Sequence, residues 1–370
     1  MHRISPNNAS PNTHQQQSQL PTSYSPIQAD TEQAHIDQAH IEQIRQSVFI
    51  SLCRLVGLML LMLVAFLSLY AKADQTHFST HFSPQVEPDS LAFSYQWSTH
   101  DGDFTLEFAL PTAALAQMPA TQSTFSNAMM QREIEVALLK YAKALNPKTG
   151  RVSIKRRGSG LEYGVKTRLP EQGKKVMADL SRLSETARAQ YLSQHFYTPY
   201  TSPTGQKAIQ QDHAKYAEQS APHLLPVVEA IKAMQQSPNN PREFINIALS
   251  WIQSIPYNTL ENRATSNGAG FVSPKDLLMQ NQGDCDSKAT LLAALMRAYS
   301  GGVNQKMVLL PKHALLAIAI HPLPDDKTVS QDGKDYVLLE AAGPAYFEAG
   351  EAADSTLMGI RNRQYILDTM

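Results

Sequence analysis

Asn281-Gln282-Gly283-Asp284-Cys285-Asp286-Ser287-Lys288-Ala289 is the stretch on which the reading of this chain turns. Asp284 has the short carboxylate of an N-cap, suited to accept the free amide of residue 286 or 287. Ala289, Leu292, Ala293, Met296 and Tyr299 follow at helical spacing. Cys285 thus falls in the first turn of an apolar-striped helix, where the positive end of the dipole favours a thiolate. Downstream, His313 opens an apolar strand-like run, His313-Ala314-Leu315-Leu316-Ala317-Ile318-Ala319-Ile320, and Glu340 closes another, Tyr336-Val337-Leu338-Leu339-Glu340. Cysteine, histidine and carboxylate in this order suit acyl transfer through a thiol. His313 would take the thiol proton and return it to the leaving group, while Glu340 would hold the ring in one tautomer. Two neighbouring strands bring such residues together, because strand ends lie a few ångströms apart across a sheet. Asp284 and Asp286 stand beside the sulfur and oppose thiolate formation, so the helix and His313 must outweigh them. Asp325, Asp326, Asp332 and Asp335 on the same connection compete with Glu340 for the third position.

Further segments accompany the cysteine in order: Trp251-Ile252-Gln253-Ser254-Ile255-Pro256-Tyr257, then Pro274-Lys275-Asp276-Leu277-Leu278, then Gly283 to Asp286, then His313-Ala314. Together they make the stretch from about Arg242 to Glu340 resemble the transglutaminase-like superfamily, of the exported bacterial type. This is the papain-related group of cysteine peptidases, amidases and protein-crosslinking enzymes. The resemblance implies an α+β fold whose papain-like core packs a nucleophile helix on an antiparallel sheet, with Cys285, His313 and Glu340 as catalytic residues. Glu340 stands where relatives usually carry aspartate, and Gln282 where they often carry a basic residue. Gln282 or Tyr257 would join the Cys285 backbone amide as donor to an oxyanion.

The implied activity is thiol-dependent hydrolysis or acyl transfer at an amide bond of a protein or peptide, through a thioester on Cys285 and without a cofactor. Water is the more abundant acceptor, which favours a cysteine peptidase. A crosslinking transglutaminase differs only in its second acceptor, and an amidase for cell-wall peptides only in its substrate. A catalytically silent envelope scaffold is the alternative from another class, favoured by Glu340 and by the two acidic neighbours of Cys285. A metal site from Asp284, Asp286 and His313 matches no recognised ligand spacing.

Residues 1–46 are rich in Gln, Ser, Asn, Pro and Thr and read as a disordered tail. Within 47–73, the uncharged run Leu55–Ala71 lies between Arg54 and Lys72 and would span ~25 Å as a helix. This segment enters or crosses a membrane, as a signal peptide cleaved after Ala73 or as a retained anchor. Arg45 and Arg54 ahead of it put the remainder outside the cytoplasm, in a periplasmic or extracytoplasmic space. Cys53 would be lost on cleavage, leaving Cys285 without a disulfide partner. With Lys+Arg 32 against Asp+Glu 33, charge gives no argument for nucleic acid.

Residues 74–204 read as an accessory α/β region. It holds a hairpin through His100-Asp101-Gly102, a helix from about Ser126 to Leu145, and a second hairpin through Gly158-Ser159-Gly160 flanked by Lys155-Arg156-Arg157. Tyr197–Gly205, rich in Thr and Pro, reads as an irregular junction or a loop over the cleft. The transglutaminase-like domain is expected over 205–370, with helices at 221–234 and 242–254 and a long loop from Asn258 to Phe271.

Overall fold

Alternation in Phe93-Ser94-Tyr95-Gln96-Trp97 and Phe104-Thr105-Leu106-Glu107-Phe108 becomes two paired strands, β2 (Ser90–Thr99) and β3 (Gly102–Pro111), with the apolar residues turned inward. With β1 (His81–Val86) they make an antiparallel sheet of order β1-β2-β3. The computed structural model describes Met59 and residues 81–202, 205–261 and 270–370. The tail, the rest of the apolar run 55–71 and the Ala73 cleavage site lie outside the described residues. Among the described residues no helix is long and apolar enough to cross a membrane.

After the short α1 (Thr112–Gln117), the chain builds a layer of its own. The Ser126 hydroxyl accepts from the Met129 amide and starts α2 (Asn127–Ala144), which ends just before Asn146-Pro147. The expected second hairpin forms as β4 (Arg151–Arg157) and β5 (Gly160–Lys166), and α3 (Pro170–Gln194) follows. Ile134 and Leu138 of α2 meet Val176, Leu180 and Tyr191 of α3 in a separate apolar cluster. Arg156 and Arg157 pair with Glu135 and Glu162, so these two charges are solvated turn flanks bound to their neighbours. The stretch expected to be irregular is instead ordered: β6 (Tyr197–Thr201) pairs antiparallel with β7 (Lys207–Gln211). A two-stranded ribbon leaves one edge of each strand unpaired, so Pro199 sacrifices no ladder bond there.

Helices α4 (His213–Ser220), α5 (Leu225–Met234), α6 (Pro241–Ser254) and α7 (Pro274–Gln280) lead to α8 (Cys285–Ser300). The five remaining strands are β8 (Gln305–Leu310), β9 (His313–Ile318), β10 (Thr328–Gln331), β11 (Lys334–Leu339) and β12 (Ile366–Thr369). They form one antiparallel sheet of order β10-β11-β9-β8-β12. Strict alternation sorts its faces: Met307, Leu316 and Leu339 join the core around α8, and Val308, Leu315 and Leu338 face α9 (Asp354–Arg361). Helices segregated around antiparallel sheets make the architecture α+β.

The first sheet shares the core of α6 and α8. Trp251 of α6 meets the rings of Tyr95 and Phe108 edge-on at 5.2 and 5.8 Å, and Trp97 Nε1 donates to Ser250 Oγ at 3.2 Å. The core therefore runs across residue 205, the expected boundary between accessory region and domain. The layer of α2, α3 and the β4–β5 hairpin has its own apolar cluster, which also takes in Tyr197 and Ile209 of the β6–β7 ribbon, whereas β2 and β3 share the core of Trp251.

Candidate active site

Asp284 caps α8 as its sequence suggests: the Ser287 amide donates to its Oδ1 at 3.2 Å, and the Ser287 hydroxyl donates to the same oxygen. That hydroxyl accepts from the Val272 amide at 2.8 Å, fastening the incoming chain to the helix start. Gly283 pairs with Tyr257 in a parallel bridge, and its carbonyl accepts from the Asn258 amide at 3.1 Å. A Cβ on Gly283 would lie 2.8 Å from Leu277 Cδ1, so the close approach of α7 requires glycine here. Cys285 is thereby held, partly buried, in the first turn.

His313 opens β9 and faces the buried Glu340 just past β11. Its Nε2 lies 2.8 and 2.9 Å from the two carboxylate oxygens, and Thr356 Oγ1 of α9 donates to Glu340 Oε2 at 3.1 Å. Gln253 of α6 fixes the backbone here by donating to the Glu340 carbonyl at 2.6 Å and the Phe347 carbonyl at 2.9 Å. Glu340 occupies Nε2 of His313, and Cys285 is the other group that acts on the ring. Burial pushes the His313 pKa down, but the hydrogen bonds from Cys285 and Glu340 and the charges of both outweigh it and raise it to about 10. That shift favours the imidazolium at neutral pH. Of the competing carboxylates, Asp326 pairs with Arg242 at 2.6 Å and Asp335 accepts from the Ser330 hydroxyl, while Asp325 and Asp332 are exposed, Asp332 at positive φ in the β10–β11 turn.

The acidic neighbours of Cys285 resolve differently from the sequence expectation. Asp286 Oδ2 lies 3.1 Å from Nε2 of His213, a 5 % exposed residue on α4 set edge-on to Phe271. Asp286 also hydrogen-bonds Asp284. Burial, and then the Asp286 charge, hold the Asp284 carboxyl well above the carboxylate range. Burial would raise Asp286 too, but its bond to His213 and that ring's charge lower it. The two carboxyls thus share one proton. Of the two carboxyls that the sequence sets against a thiolate, burial favours the neutral form of Asp284, and Asp286 is hydrogen-bonded by His213.

Lys288, fully buried one turn after Cys285, donates from Nζ to the carbonyls of Ile255 at 2.5 Å and Ala342 at 2.7 Å. It ties the segment before Tyr257 and the segment after Glu340 to the nucleophile's helix. Burial lowers its pKa to about 7, against the opposing pull of Asp284 and Cys285. Tyr257, half exposed, keeps its phenol proton: burial and then the charge of Cys285 raise it to about 12. The Gln282 side-chain oxygen accepts from Asn258 Nδ2 at 3.0 Å, which leaves the amide hydrogens of Gln282 to donate elsewhere. With the backbone amide of Cys285 at the start of α8, these are donors suited to a developing oxyanion.

The structure therefore pairs His313 with Glu340 and sets Cys285 close enough to act on the same ring, with Tyr257 and Gln282 on the segments just ahead of the helix. His213 and Lys288 were missed by the sequence reading. A lysine flanked by Ala289, Leu291 and Leu292 on the buried side of a helix is a signal in itself. For His213, 73 residues from Asp286, the sequence holds no comparable sign. Among the described residues, the metal-capable trio is His100, Asp101 and Glu348, all exposed and none from the row around Cys285. No protein-family model matches the chain, and neither a curated protein nor a solved structure does.

Proposed function

We propose that this chain is a thiol-dependent hydrolase of amide bonds in proteins or peptides, with a papain-like, transglutaminase-like core, acting outside the cytoplasm. The observation that carries this is the placement of one imidazole between Cys285 and Glu340. The Cys285 sulfur attacks the carbonyl carbon while His313 holds the thiol proton, and Glu340 stabilises the imidazolium. The oxyanion forms against the first-turn amide of Cys285, with Tyr257 or Gln282 as second donor. Collapse expels the amine, which takes its proton from His313 and leaves a thioester. His313 then deprotonates a water that hydrolyses it. A primary amine in place of water gives transamidation at the same site.

Burial that favours a neutral Asp284, together with the bond of Asp286 to His213, weakens the electrostatic argument for a silent scaffold. The test is digestion of unfolded casein by the purified chain, with a labelled primary amine present. New casein peptides, lost in Cys285→Ala, are the expected result. Amine incorporation outpacing peptide release would make the chain a transglutaminase, and slow alkylation of Cys285 with no reaction on casein would return the scaffold.

A further inference from the structure

Resting on that reading, we propose that the cavity beside His313 receives the side chain immediately after the scissile amide, and that it selects an apolar one of leucine to phenylalanine size. The cavity, about 800 Å³, lies between the β8–β9 turn, the segment after Glu340, and α9. His313 forms part of its wall and Glu340 and Thr356 line it as well, whereas Cys285 does not line it. This placement assigns the side of the substrate it serves. When the tetrahedral intermediate collapses, the C–N bond breaks and its electron pair stays on nitrogen. The proton comes from His313, and the acyl carbon remains on sulfur. The departing nitrogen must therefore lie at the imidazole, and the residue that carries it enters the space of which that imidazole is a wall.

The lining sets the chemistry. Leu310, Pro344, Ala345, Phe347 and Met358 supply apolar surface, and the volume is ample for one large side chain with its backbone. Met358 is 61 % exposed, although its neighbours on α9, Leu357 and Ile360, pack against the sheet. An apolar side chain seated here would cover it. Glu340 is already engaged by His313 and Thr356, so it offers little to a cationic side chain. Lys312 and Asp354, also on the lining, are of opposite sign. Both are exposed, so an ion pair with either offsets little of the hydration that a charged substrate residue would lose. Gly359 lets α9 lie close to β8, since a Cβ there would meet the end of the Leu310 side chain.

The experiment is exposure of a proteome-derived peptide mixture to the full chain, followed by sequencing of the new amino termini. Leu, Met and Phe are expected at the new termini at least about tenfold over Asp, Glu and Lys. Ala345→Trp, which fills the cavity, is expected to move the preference to Gly and Ala. New termini without apolar enrichment, or an Ala345→Trp profile equal to wild type, would overturn the subsite and leave the hydrolase standing. No new termini from the wild-type chain would overturn both. If Ala345→Trp fails to fold, the wild-type profile decides.

Discussion

Two histidine–carboxylate pairs flank Cys285, and they are chemically alike but placed to opposite ends. His313 and Glu340 meet at strand ends, with the ring partly open and Cys285 acting on it. His213 and Asp286 meet between α4 and the first turn of α8, with the ring sealed against Phe271. In the first pair the carboxylate serves the histidine: Glu340 holds it charged and oriented so that the ring can exchange protons with sulfur. In the second the histidine serves the carboxylate, holding by a hydrogen bond a group that would otherwise face the nucleophile. The difference teaches that a His–Asp/Glu contact defines a proton shuttle only when the other face of the ring reaches a reacting atom.

The largest test of this asymmetry lies in the strand-end pair. His313→Ala is expected to slow casein hydrolysis by about 10²–10⁴-fold. Glu340→Gln should cost less, about 10–100-fold, since the ring keeps a hydrogen-bonding neighbour but loses its counter-charge. Stability carries the same signature. The folded-state pKa of His313 is raised from 6.5 to about 10. Its contribution is therefore fully present below pH 6.5 and is lost as pH rises through about 10. The unfolding free energy of wild type relative to His313→Gln should be greatest near pH 6 and shrink steadily to pH 10. A difference that stays constant over that range would show that the ring is not held charged.

The unequal legibility of the two pairs has a physical origin. His313 and Glu340 sit at the ends of apolar runs whose alternation marks strands, and Cys285 follows an N-cap and precedes a helical stripe. Each is a local pattern. The β4–β5 hairpin and α6 with its Asn240 cap were readable for the same reason. The residues β6 and β7 contribute were not, because Thr-Pro-rich ribbons look like loops until a partner strand is known. His213 stands on an eight-residue helix whose only local sign is the Asp212 cap, and its partner is set by the packing of α4 on α8. The protonation of Asp284 is a property of burial around that contact, so it too appears only with the tertiary structure.

Intermediate effects are expected on the helix side. His213→Phe keeps an aromatic ring against Phe271 but leaves Asp286 without its histidine. A loss of about 1–3 kcal/mol in stability should follow, with slower alkylation of Cys285 by iodoacetamide at neutral pH. Adding Asp286→Asn removes the stranded charge and should recover most of both losses in a double-mutant cycle. If the double variant is no better than His213→Phe alone, the ring acts by packing and not by matching charge.

The smallest effect should come from the residue that the sequence makes most conspicuous. If Asp284 carries the shared proton, it is a neutral cap whose hydroxyl donates to Asp286 and whose other oxygen accepts from Ser287. Asparagine reproduces that pattern, with an amide N–H toward Asp286 and a carbonyl toward Ser287, and it caps helices as well as aspartate does. Asp284→Asn should therefore change stability by less than about 0.5 kcal/mol and leave Cys285 alkylation nearly unaltered. Asp284→Ala, which deletes the cap, should cost about 1 kcal/mol. An ionised Asp284 gives the opposite result: asparagine would forfeit the charge–dipole attraction at the helix start, and alkylation would accelerate because a negative charge beside the sulfur had gone. Two rates, one for each substituent at position 284, thus decide whether the proton sits where the buried carboxyl pair places it.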